Sequence, residues 1–429
     1  MATTESLIER RDRLLGPNVR LFYSDPVHLV RGRGARVWDA DGRSYLDAYN
    51  NVPHVGHCHP AVVQAIARQA GELNTHTRYL HEGILTYVDR LVATLHPTIT
   101  SAIMVCTGSE ANDIALRMAQ AVTGRTGIIA TDDTYHGNTA AVSQLSTKIP
   151  PIGGFGDHVR HVPAPDSYRP LGGAAGDGHA AAFAQAVEGA CRSLIQSGHG
   201  VSGIILCPAF VNEGLPDLPP GFLDPALAVI RAHGGIVIAD EVQAGFGRLG
   251  THFWGHERMG FVPDVVTMGK PMGNGHPVAA VTTSYETMTA FRKAFRYFNT
   301  FGGNPVSCAA ATAVLDVLAD EDLPAKAADT GEYLRSGLRD LAKRHAILGD
   351  VRGWGLANGV ELVADRAART PLAAPSAASI VDAMRSEGVL LGVNGIHNNV
   401  LKIRPPLPFG RTEADELLEK LDHVLERLA

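Results

Sequence analysis

The chain has 429 residues, of which 45 % are hydrophobic and 19 % charged, and its formal net charge is -6 at pH 7. This length allows two domains with substantial hydrophobic cores. The acidic balance, without any run of Lys and Arg, argues against a nucleic-acid-binding surface. No stretch of 18 apolar residues predicts a membrane span, and the charged N-terminus lacks the apolar segment of a secretory signal. We therefore expect a globular cytoplasmic protein without nucleic-acid or membrane partners.

The cysteines are few, odd in number and widely spaced, and no CxxC motif occurs. This pattern supports neither a disulfide framework nor a zinc ribbon and favours a reducing compartment. The cluster of His54, His57, Cys58 and His59 contains residue types that bind zinc. Because His59 directly precedes Pro60, as at a helix start, we expect these residues to cap and pack near a site. We predict no metal.

Short apolar runs rich in Val and Ile alternate with helical patterns between about residues 60 and 285. The runs are continuous, which is typical of strands covered on both faces. Between them, residues 61–73 and 110–122 carry apolar side chains at helical spacing. This alternation predicts a mostly parallel sheet with right-handed crossovers. Residues 148–178, rich in Pro and Gly, are expected to form a long surface connection. The predicted strands are residues 102–106, 127–131, 203–207, 235–240, 265–268 and 278–282.

The pattern changes near residue 305, where the remaining elements indicate a smaller α+β domain. The N-terminal residues 21–47 also suggest short strands, with a turn at Asp41-Gly42. The elements expected after residue 305 are helices at 306–318 and 325–346, a strand pair around 351–362, a helix at 376–387, strands near 389–391 and 400–403, and a helix from 412. The predicted division is an N-terminal segment joining the small domain (1–55), a large domain (56–305) and the small domain (306–429).

Lys270 follows the apolar strand at residues 265–268 and is enclosed by Gly269 and Gly273. A buried lysine is costly while charged, and a lowered pKa makes its amine a nucleophile. A Schiff base with an aldehyde cofactor is one use of such an amine. An exposed loop lysine would give the same local pattern.

Asp240 and Glu241 end the wholly apolar strand at residues 235–240. Ligands of open α/β sheets bind at the carboxyl ends of strands. An acid at this position can pair with a protonated ring nitrogen of a cofactor, or it can cap a helix or bind a metal. The sequence around this strand leaves these alternatives open.

Three further segments at strand or element ends carry polar or aromatic residues. Gly108 and Ser109 lie between a strand and a helix, where a helix N-terminus suits a phosphate, although a simple Ser cap is common. Tyr135 could stack on a flat ring or pack in the core. The Gly-rich turn at residues 297–305 carries the hydroxyl of Thr300 and could equally be an ordinary domain junction.

The order and spacing of these five segments resemble the class III (ω- or acetylornithine-type) aminotransferase family of fold-type I pyridoxal-phosphate enzymes. The resemblance runs from about Tyr23 to the final helix. Its most specific part is residues 239–248, followed at the family's spacing by Gly269-Lys270. It implies an α/β fold: a large domain with a mostly parallel sheet of the seven-stranded type flanked by helices, and a smaller α+β domain from both chain ends.

The resemblance implies a role for each residue that would contact the cofactor ring. Lys270 would be the Schiff-base lysine and would also move the substrate proton. Asp240 would pair with the ring nitrogen, and Gln243 would bond the ring hydroxyl. Val242 and Tyr135 would lie on opposite faces of the ring.

The same resemblance implies how the phosphate of pyridoxal 5′-phosphate is held and how subunits assemble. Gly108 and Ser109 would bind the phosphate through backbone amides, and His136 belongs to the cofactor-binding set. Thr300 would reach the phosphate bound by the neighbouring subunit. The resemblance therefore implies a homodimer whose active sites lie at the interface.

The sequence departs from the common family pattern at two positions that bear on the substrate. Many members carry an Arg, which clamps a substrate carboxylate, where this chain has Lys402, and Arg404 follows two residues later. Lysine cannot form the bidentate fork that arginine offers. Many members also carry a Glu that neutralises that Arg. Here Asn212 takes its position by spacing, unless a one-residue shift restores Glu213.

Residues 54–60, 78–81 and 299–308 resemble the phospho-lyase subgroup of this family, which cleaves phosphate from phosphoethanolamine or phosphohydroxylysine. That subgroup also has Lys at the position of Lys402 and a basic residue at that of Arg404. These two residues, with His54 and Arg78, are the candidate substrate contacts.

The resemblance favours an aminotransferase that moves an amino group from a primary amine or amino acid to a keto acid or aldehyde. The alternative is a phospho-lyase that eliminates phosphate and ammonia from phosphoethanolamine-like substrates. A catalytically silent binding module on the same fold would be expected to lack Lys270 or Asp240, and both are present.

Overall fold

A computed structural model describes residues 4–17, 19, 21–173 and 176–428. Its helices are α1 (Thr4–Leu15), α2 (Pro60–Glu72), α3 (Glu82–Val92), α4 (Gly108–Thr123), α5 (Asp177–Gln196), α6 (Asp224–Ala232), α7 (Gly255–Met259), α8 (Tyr285–Ala294), α9 (Pro305–Asp320), α10 (Leu323–Arg344), α11 (Ala374–Ser386) and α12 (Arg411–Leu428). Short 3-10 helices lie at Val142–Leu145, Leu171–Gly173 and Lys270–Gly273.

The strands are β1 (Leu29–Arg33), β2 (Arg36–Asp39), β3 (Ser44–Asp47), β4 (Ser101–Val105), β5 (Ile128–Thr131), β6 (Val159–Val162), β7 (Gly203–Leu206), β8 (Ile236–Asp240), β9 (Val265–Met268), β10 (Ala279–Thr283), β11 (Leu348–Trp354), β12 (Ala357–Asp365), β13 (Thr370–Pro371), β14 (Val389–Leu390), β15 (Gly392–Asn394) and β16 (Val400–Ile403).

The central sheet has seven strands in the order β4-β10-β9-β8-β7-β5-β6. Strand β10 is antiparallel to both of its neighbours, and the other pairs are parallel. The predicted mostly parallel sheet is therefore confirmed. One expectation was wrong: β6 lies inside the stretch predicted to be a surface connection. This edge strand has only four residues, and its middle pair is Arg160 and His161, so it lacks a continuous apolar run.

Both faces of this sheet are covered, which explains the continuous apolar runs. All five residues of β8 are buried. One face packs on α4 and α8 through residues such as Ile114 and Phe291. The other face packs on α5 and α6 through residues such as Phe183 and Leu227. This two-sided cover leaves the carboxyl ends of the strands as the open edge where side chains can meet a ligand.

The N-terminal strands join the C-terminal part of the chain in a second sheet, ordered β1-β2-β3-β14. Leu46 of β3 pairs in parallel with Val389 of β14. Gly42, in the predicted turn between β2 and β3, has a φ of 84°, which glycine adopts without steric cost. The predicted division of the chain at residues 55 and 305 stays a prediction.

The C-terminal elements form a third sheet, β11-β12-β16-β15, with β13 paired to β12. Helices α10, α11 and α12 pack beside it, and residues such as Leu338, Ile380 and Leu417 of these helices are buried in its core. Strand β16 coincides with the predicted residues 400–403 and carries Lys402. In the part of the chain that the structure describes, no helix is long and apolar enough to cross a membrane.

Candidate active site

A cavity of about 330 Å³ opens at the carboxyl ends of the central strands. Small-molecule sites are usually clefts of at least this size. Eight of the nine residues expected to bind the cofactor line it, and only Thr300 does not. The eight are Gly108, Ser109, Tyr135, His136, Asp240, Val242, Gln243 and Lys270.

Lys270 begins the 3-10 helix that follows β9, with a φ of 26°. Its surroundings lower the pKa of its amine from 10.5 to about 8. Burial is the main cause, the positive charge of Arg404 adds to it, and Asp240 acts in the opposite direction. About a tenth of this amine is therefore unprotonated at pH 7, far more than for a lysine with the ordinary pKa, and the unprotonated amine is the form that acts as a nucleophile.

Asp240 is held by three donors at the end of β8. Its Oδ2 accepts hydrogen bonds from Asn112 Nδ2 at 2.9 Å and from His136 Nδ1 at 2.6 Å. Its Oδ1 accepts one from the backbone N–H of Val242 at 3.0 Å. Three donors stabilise the negative charge of a buried carboxylate. The site therefore has a fixed anion inside the cavity that also contains the lysine.

The N-terminus of α4 forms another wall of the cavity. Thr107, not Ser109, caps this helix: its hydroxyl accepts from the backbone N–H of Glu110 at 3.1 Å. The N–H groups of Gly108 and Ser109, in the first helical turn, have no preceding carbonyl of the helix to bond. A Cβ atom on Gly108 would lie 2.9 Å from Val242 Cγ2, so only glycine fits here. Such a helix end suits a phosphate group.

These features fit pyridoxal 5′-phosphate. The helix end at Gly108 could hold its phosphate, Asp240 its ring nitrogen and Lys270 its aldehyde carbon, while Val242 and Tyr135 line the space for its ring. Phosphate, ring nitrogen and aldehyde thus each meet a group of matching charge or reactivity around one cavity.

Gln243 makes contacts that the sequence did not predict. Its side-chain oxygen accepts a hydrogen bond from Arg404 Nη1. Its amide nitrogen lies 3.4 Å from Asn212 Oδ1. Arg404 is buried, with its guanidinium carbon 5.4 Å from the ring centroid of Tyr49. Arg404 is thus hydrogen-bonded to Gln243, a residue that lines the cofactor cavity.

A second cavity of about 480 Å³ adjoins the first, and Tyr135 lines both. The second cavity is also lined by Lys402, Lys148, Tyr49 and Asn212. Burial lowers the pKa of Lys402 well below its ordinary value, and the positive charges of Arg404, Lys270 and Lys148 add to this effect. Because these cations lie together, the cavity favours an anionic group.

The structure places Asn212, rather than Glu213, at this second cavity. Glu213 is buried, and its Oε1 accepts a hydrogen bond from Thr131 Oγ1 at 2.9 Å. Burial raises the pKa of Glu213. The negative charge of Glu213 nevertheless acts on Lys402 and raises the pKa of that lysine. Which of Asn212 and Glu213 takes the family's Glu position stays a prediction.

Three of the four predicted substrate contacts, His54, Arg78 and Arg404, line neither of these two cavities, and only Lys402 does. Their contacts with a substrate stay a prediction. His54 is buried, and its Nε2 lies 2.7 Å from the carbonyl oxygen of Phe246 while its Nδ1 lies 3.1 Å from Arg248 Nη2. Because Nδ1 accepts from an arginine and Nε2 donates to a carbonyl, the imidazole of His54 is neutral. Arg78 is exposed, with its guanidinium carbon 3.9 Å from the ring centroid of Phe298.

The other members of the histidine cluster also have protein partners. His57 Nε2 lies 2.7 Å from Asp47 Oδ2, and His59 Nε2 lies 2.9 Å from Glu321 Oε1. His59 caps α2, as the sequence indicated. Among the described residues, no group of three or more His, Cys, Asp or Glu is placed to hold a metal ion.

Three residues around the two cavities were missed by sequence reasoning: Asn112, Lys148 and Tyr49. Asn112 is a polar residue within a helix, where nothing local marks it as functional. Lys148 begins the Pro- and Gly-rich stretch that the sequence predicts to be a surface connection. A buried polar residue directly under a cavity is visible only once the fold is known.

Comparisons with known proteins show the family to which the chain belongs. Residues 23–425 match the family model of the class III aminotransferases. The chain is 41 % identical to the alanine–glyoxylate aminotransferase 2-like protein of Drosophila melanogaster, with 100 % of this chain and 89 % of the relative covered.

Two solved structures are similar over most of the chain. A phospholyase from Arthrobacter in complex with phosphoethanolamine is 43 % identical, with a TM-score of 0.94, and 99 % of this chain and 100 % of that chain are covered. An amine transaminase from an uncultivated Pseudomonas species, solved with pyridoxal phosphate bound, is 28 % identical, with a TM-score of 0.87 and coverage of 94 % and 96 %. The chain belongs to the class III aminotransferase family and is a pyridoxal 5′-phosphate-dependent enzyme of fold type I.

Proposed function

We propose that this enzyme is an aminotransferase that moves an amino group from a primary amine or amino acid to a keto acid or aldehyde. The observation that supports amino-group transfer is the match of residues 23–425 to the class III aminotransferase family model. Lys270, whose pKa is about 8, and the carboxylate of Asp240 around one cavity would supply the cofactor chemistry, which a phospho-lyase would also need. Bound pyridoxal phosphate supplies a ring that accepts electron density from the substrate carbon.

Each of these residues has a task in that proposal. The unprotonated Nζ of Lys270 would hold the cofactor at its aldehyde carbon, and the same amine would hold or move a substrate proton as a general base and acid. Asp240, held by its three donors, would pair with the ring nitrogen and favour its protonated state. The first turn of α4 at Gly108 and Ser109 binds the phosphate.

The second cavity would receive the substrate. Lys402, Arg404 and Lys148 give its surroundings a positive charge, which suits an amine that also carries an anionic group. An anion bound beside Lys402 would offset its desolvation, so that the lysine is protonated in the complex.

A phospho-lyase reaction is the second candidate, and the same cations favour it. A phosphate monoester carries nearly two negative charges, and three neighbouring cations match it better than they match one carboxylate. The similarity to the Arthrobacter phospholyase, solved with phosphoethanolamine, gives this candidate independent support.

One assay separates the two reactions. Holoenzyme is mixed with phosphoethanolamine without a keto acid, while inorganic phosphate and the cofactor spectrum are followed. An aminotransferase releases no phosphate, and simple amines convert its cofactor stoichiometrically until pyruvate restores it. Repeated release of phosphate with an unchanged cofactor band would instead establish a phospho-lyase.

We also propose a homodimer in which Thr300 contributes to the neighbouring site. Thr300 lies away from the cofactor cavity of its own chain, in a surface segment with Phe301. Phe301 and Leu80 are 71 % and 99 % exposed, and exposed apolar side chains of this size support a protein interface.

A further inference from the structure

We propose that Asn112 is a positioning residue that fixes the orientation of Asp240, and that Thr267 in turn orients the amide of Asn112. The inference rests on the proposed pairing of Asp240 with the ring nitrogen of the cofactor. It concerns Asn112 and Thr267, which do not line the cofactor cavity and would act through Asp240, which does.

Both ends of the Asn112 amide have hydrogen-bond partners inside the protein. The residue lies on α4, one turn after Gly108, and its side chain is fully buried. Its Nδ2 donates to the carbonyl oxygen of His136 at 2.6 Å and to Asp240 Oδ2 at 2.9 Å. Its Oδ1 accepts from Thr267 Oγ1 at 2.6 Å. All hydrogen-bonding capacity of the amide nitrogen is thereby used inside the protein.

Chemistry fixes the direction of every bond in this network. A backbone carbonyl and a carboxylate can only accept, so the NH₂ group must face His136 and Asp240. The amide oxygen therefore faces Thr267, whose hydroxyl must donate. The amide cannot turn over without placing its oxygen against two other oxygens. A single side chain thus sets the relative positions of the ends of β8 and β9 and the loop after β5.

This arrangement has a consequence for the cofactor. Asn112 and His136 both hold the same oxygen of Asp240, so losing Asn112 leaves the carboxylate with one donor on that oxygen. A carboxylate that rotates pairs less well with a protonated ring nitrogen. The ring nitrogen would therefore lose its proton, and with it the positive charge, more readily. Loss of the positive charge on the ring would then favour the protonated state of the nitrogen that links Lys270 to the cofactor, and the pKa of that nitrogen would rise.

The test uses cofactor binding and spectra in addition to activity. Asn112→Leu keeps the size of the side chain and removes its donor, and Thr267→Val removes only the hydroxyl that orients the amide. Each is compared with wild type by titration with pyridoxal phosphate, by the pH midpoint of the visible band of the bound cofactor, and by kcat and KM. Thr282→Val is the matched control, because Thr282 is also buried but bonds only the backbone of β9.

We expect Asn112→Leu to lower kcat by about ten- to a hundredfold, as for a lost hydrogen bond to a charged group, without a comparable change in KM. The midpoint of the visible band should move to higher pH. Thr267→Val should move it in the same direction by less, whereas Thr267→Ser, which keeps the hydroxyl, should restore it. A merely structural role would lower thermal stability without moving this midpoint.

Asp240→Asn distinguishes failure of the inference from failure of the proposed function. If Asp240→Asn shifts the midpoint but Asn112→Leu and Thr267→Val do not, the role of Asn112 is overturned. If Asp240→Asn also leaves the midpoint unchanged, the pairing of Asp240 with the ring nitrogen is overturned. Should Asn112→Leu fail to fold, the result for Thr267→Val decides alone.

Discussion

At the scale of single residues, the site is governed by positive charges held close together with little neutralisation. Burial and Arg404 lower the pKa of Lys270, and burial with neighbouring cations lowers that of Lys402. Among the described residues, neither Lys402 nor Arg404 forms an ion pair with a carboxylate within 4.0 Å. The cofactor phosphate and an anionic substrate would supply the missing negative charge, so binding and charge balance are coupled here.

The lowered pKa of Lys270 predicts how the stability of the cofactor-free protein depends on pH. Between the folded value of about 8 and the ordinary value of 10.5, the unfolded chain binds more protons, so the free energy of unfolding rises with pH. The contribution is at most ~1.4 kcal/mol per pH unit. Urea midpoints of wild type, relative to Lys270→Met, should rise from pH 8 to 10 and stay level below pH 8.

The exposed Lys293 provides the control for this prediction, because Lys293→Met removes an equivalent charge from the surface of α8. The urea midpoints of Lys293→Met should differ from those of wild type by a constant amount from pH 6 to 10. A constant difference between wild type and Lys270→Met from pH 6 to 10 would contradict the lowered pKa.

Lys402 should determine affinity for anionic substrates. Lys402→Met removes from the second cavity the amine that would be protonated when an anionic group binds. We expect KM for an amine substrate that carries an anionic group to rise by roughly ten- to a hundredfold, as for a lost hydrogen bond to a charged group. KM for a primary amine without an anionic group should stay near wild type. Steady-state kinetics on both substrates checks this, with the exposed Lys326→Met as control. An equal rise in both KM values would argue for a structural role.

At the scale of elements, the residues expected to bind the cofactor follow the ends of strands. Asp240 follows β8, Lys270 follows β9 and Gly108 follows β4, so one edge of the sheet collects the anion, the amine and the phosphate-binding turn. The continuous apolar strands could be predicted within one or two residues because two-sided burial leaves a strong sequence signal. The ends of such strands were therefore also predictable as a site.

Other parts could not be predicted from the sequence because their evidence is tertiary. Strand β6 is short and polar at its middle, so its pattern is that of a loop. The partners of His54, Phe246 and Arg248, lie more than 190 positions away in the chain, so no local pattern predicts these contacts. In the sequence, Asn112 is an ordinary polar residue of a helix. Its role depends on the packing of α4 beside β8 and β9, which the sequence does not show. Side-chain partners of this kind depend on the packing of distant segments.

The first turn of α4 allows an element-scale prediction. In Gly108→Ala, the added Cβ would meet Val242 Cγ2 at 2.9 Å and displace the helix end or the valine. Because near-ideal positioning is lost, we expect affinity for pyridoxal phosphate to fall by about tenfold or more. Gly189→Ala is the matched control: that glycine lies on α5 with nothing within 4 Å of an added Cβ, and its cofactor affinity should be unchanged. Equal affinities in both variants would refute the phosphate-binding turn.

At the scale of the whole molecule, the proposed dimer links two sites that each chain alone leaves incomplete. Thr300 stands at the surface, next to exposed Phe301, whereas the other cofactor residues line the cavity. In a symmetric dimer the same surface meets its own copy, so each chain would give Thr300 and receive it.

Mixed dimers test this exchange. Subunits carrying Lys270→Ala and subunits carrying Thr300→Asp are each expected to be nearly inactive. If Thr300 serves the neighbouring site, half of the hybrid sites contain both wild-type residues, and an equal mixture regains about a quarter of wild-type activity. No recovery after subunit exchange, verified by differently tagged chains, would place the role of Thr300 within its own chain or remove it.

The most direct test of the whole account is to find the lysine that bonds the cofactor. Holoenzyme is reduced with borohydride and digested, and the phosphopyridoxyl group is located by peptide mass spectrometry. The account predicts the group on Lys270 alone, although Lys402 and Lys148 lie near the same cavities. A label on either of those lysines, or an unlabelled Lys270 in enzyme that has retained its cofactor, would contradict it.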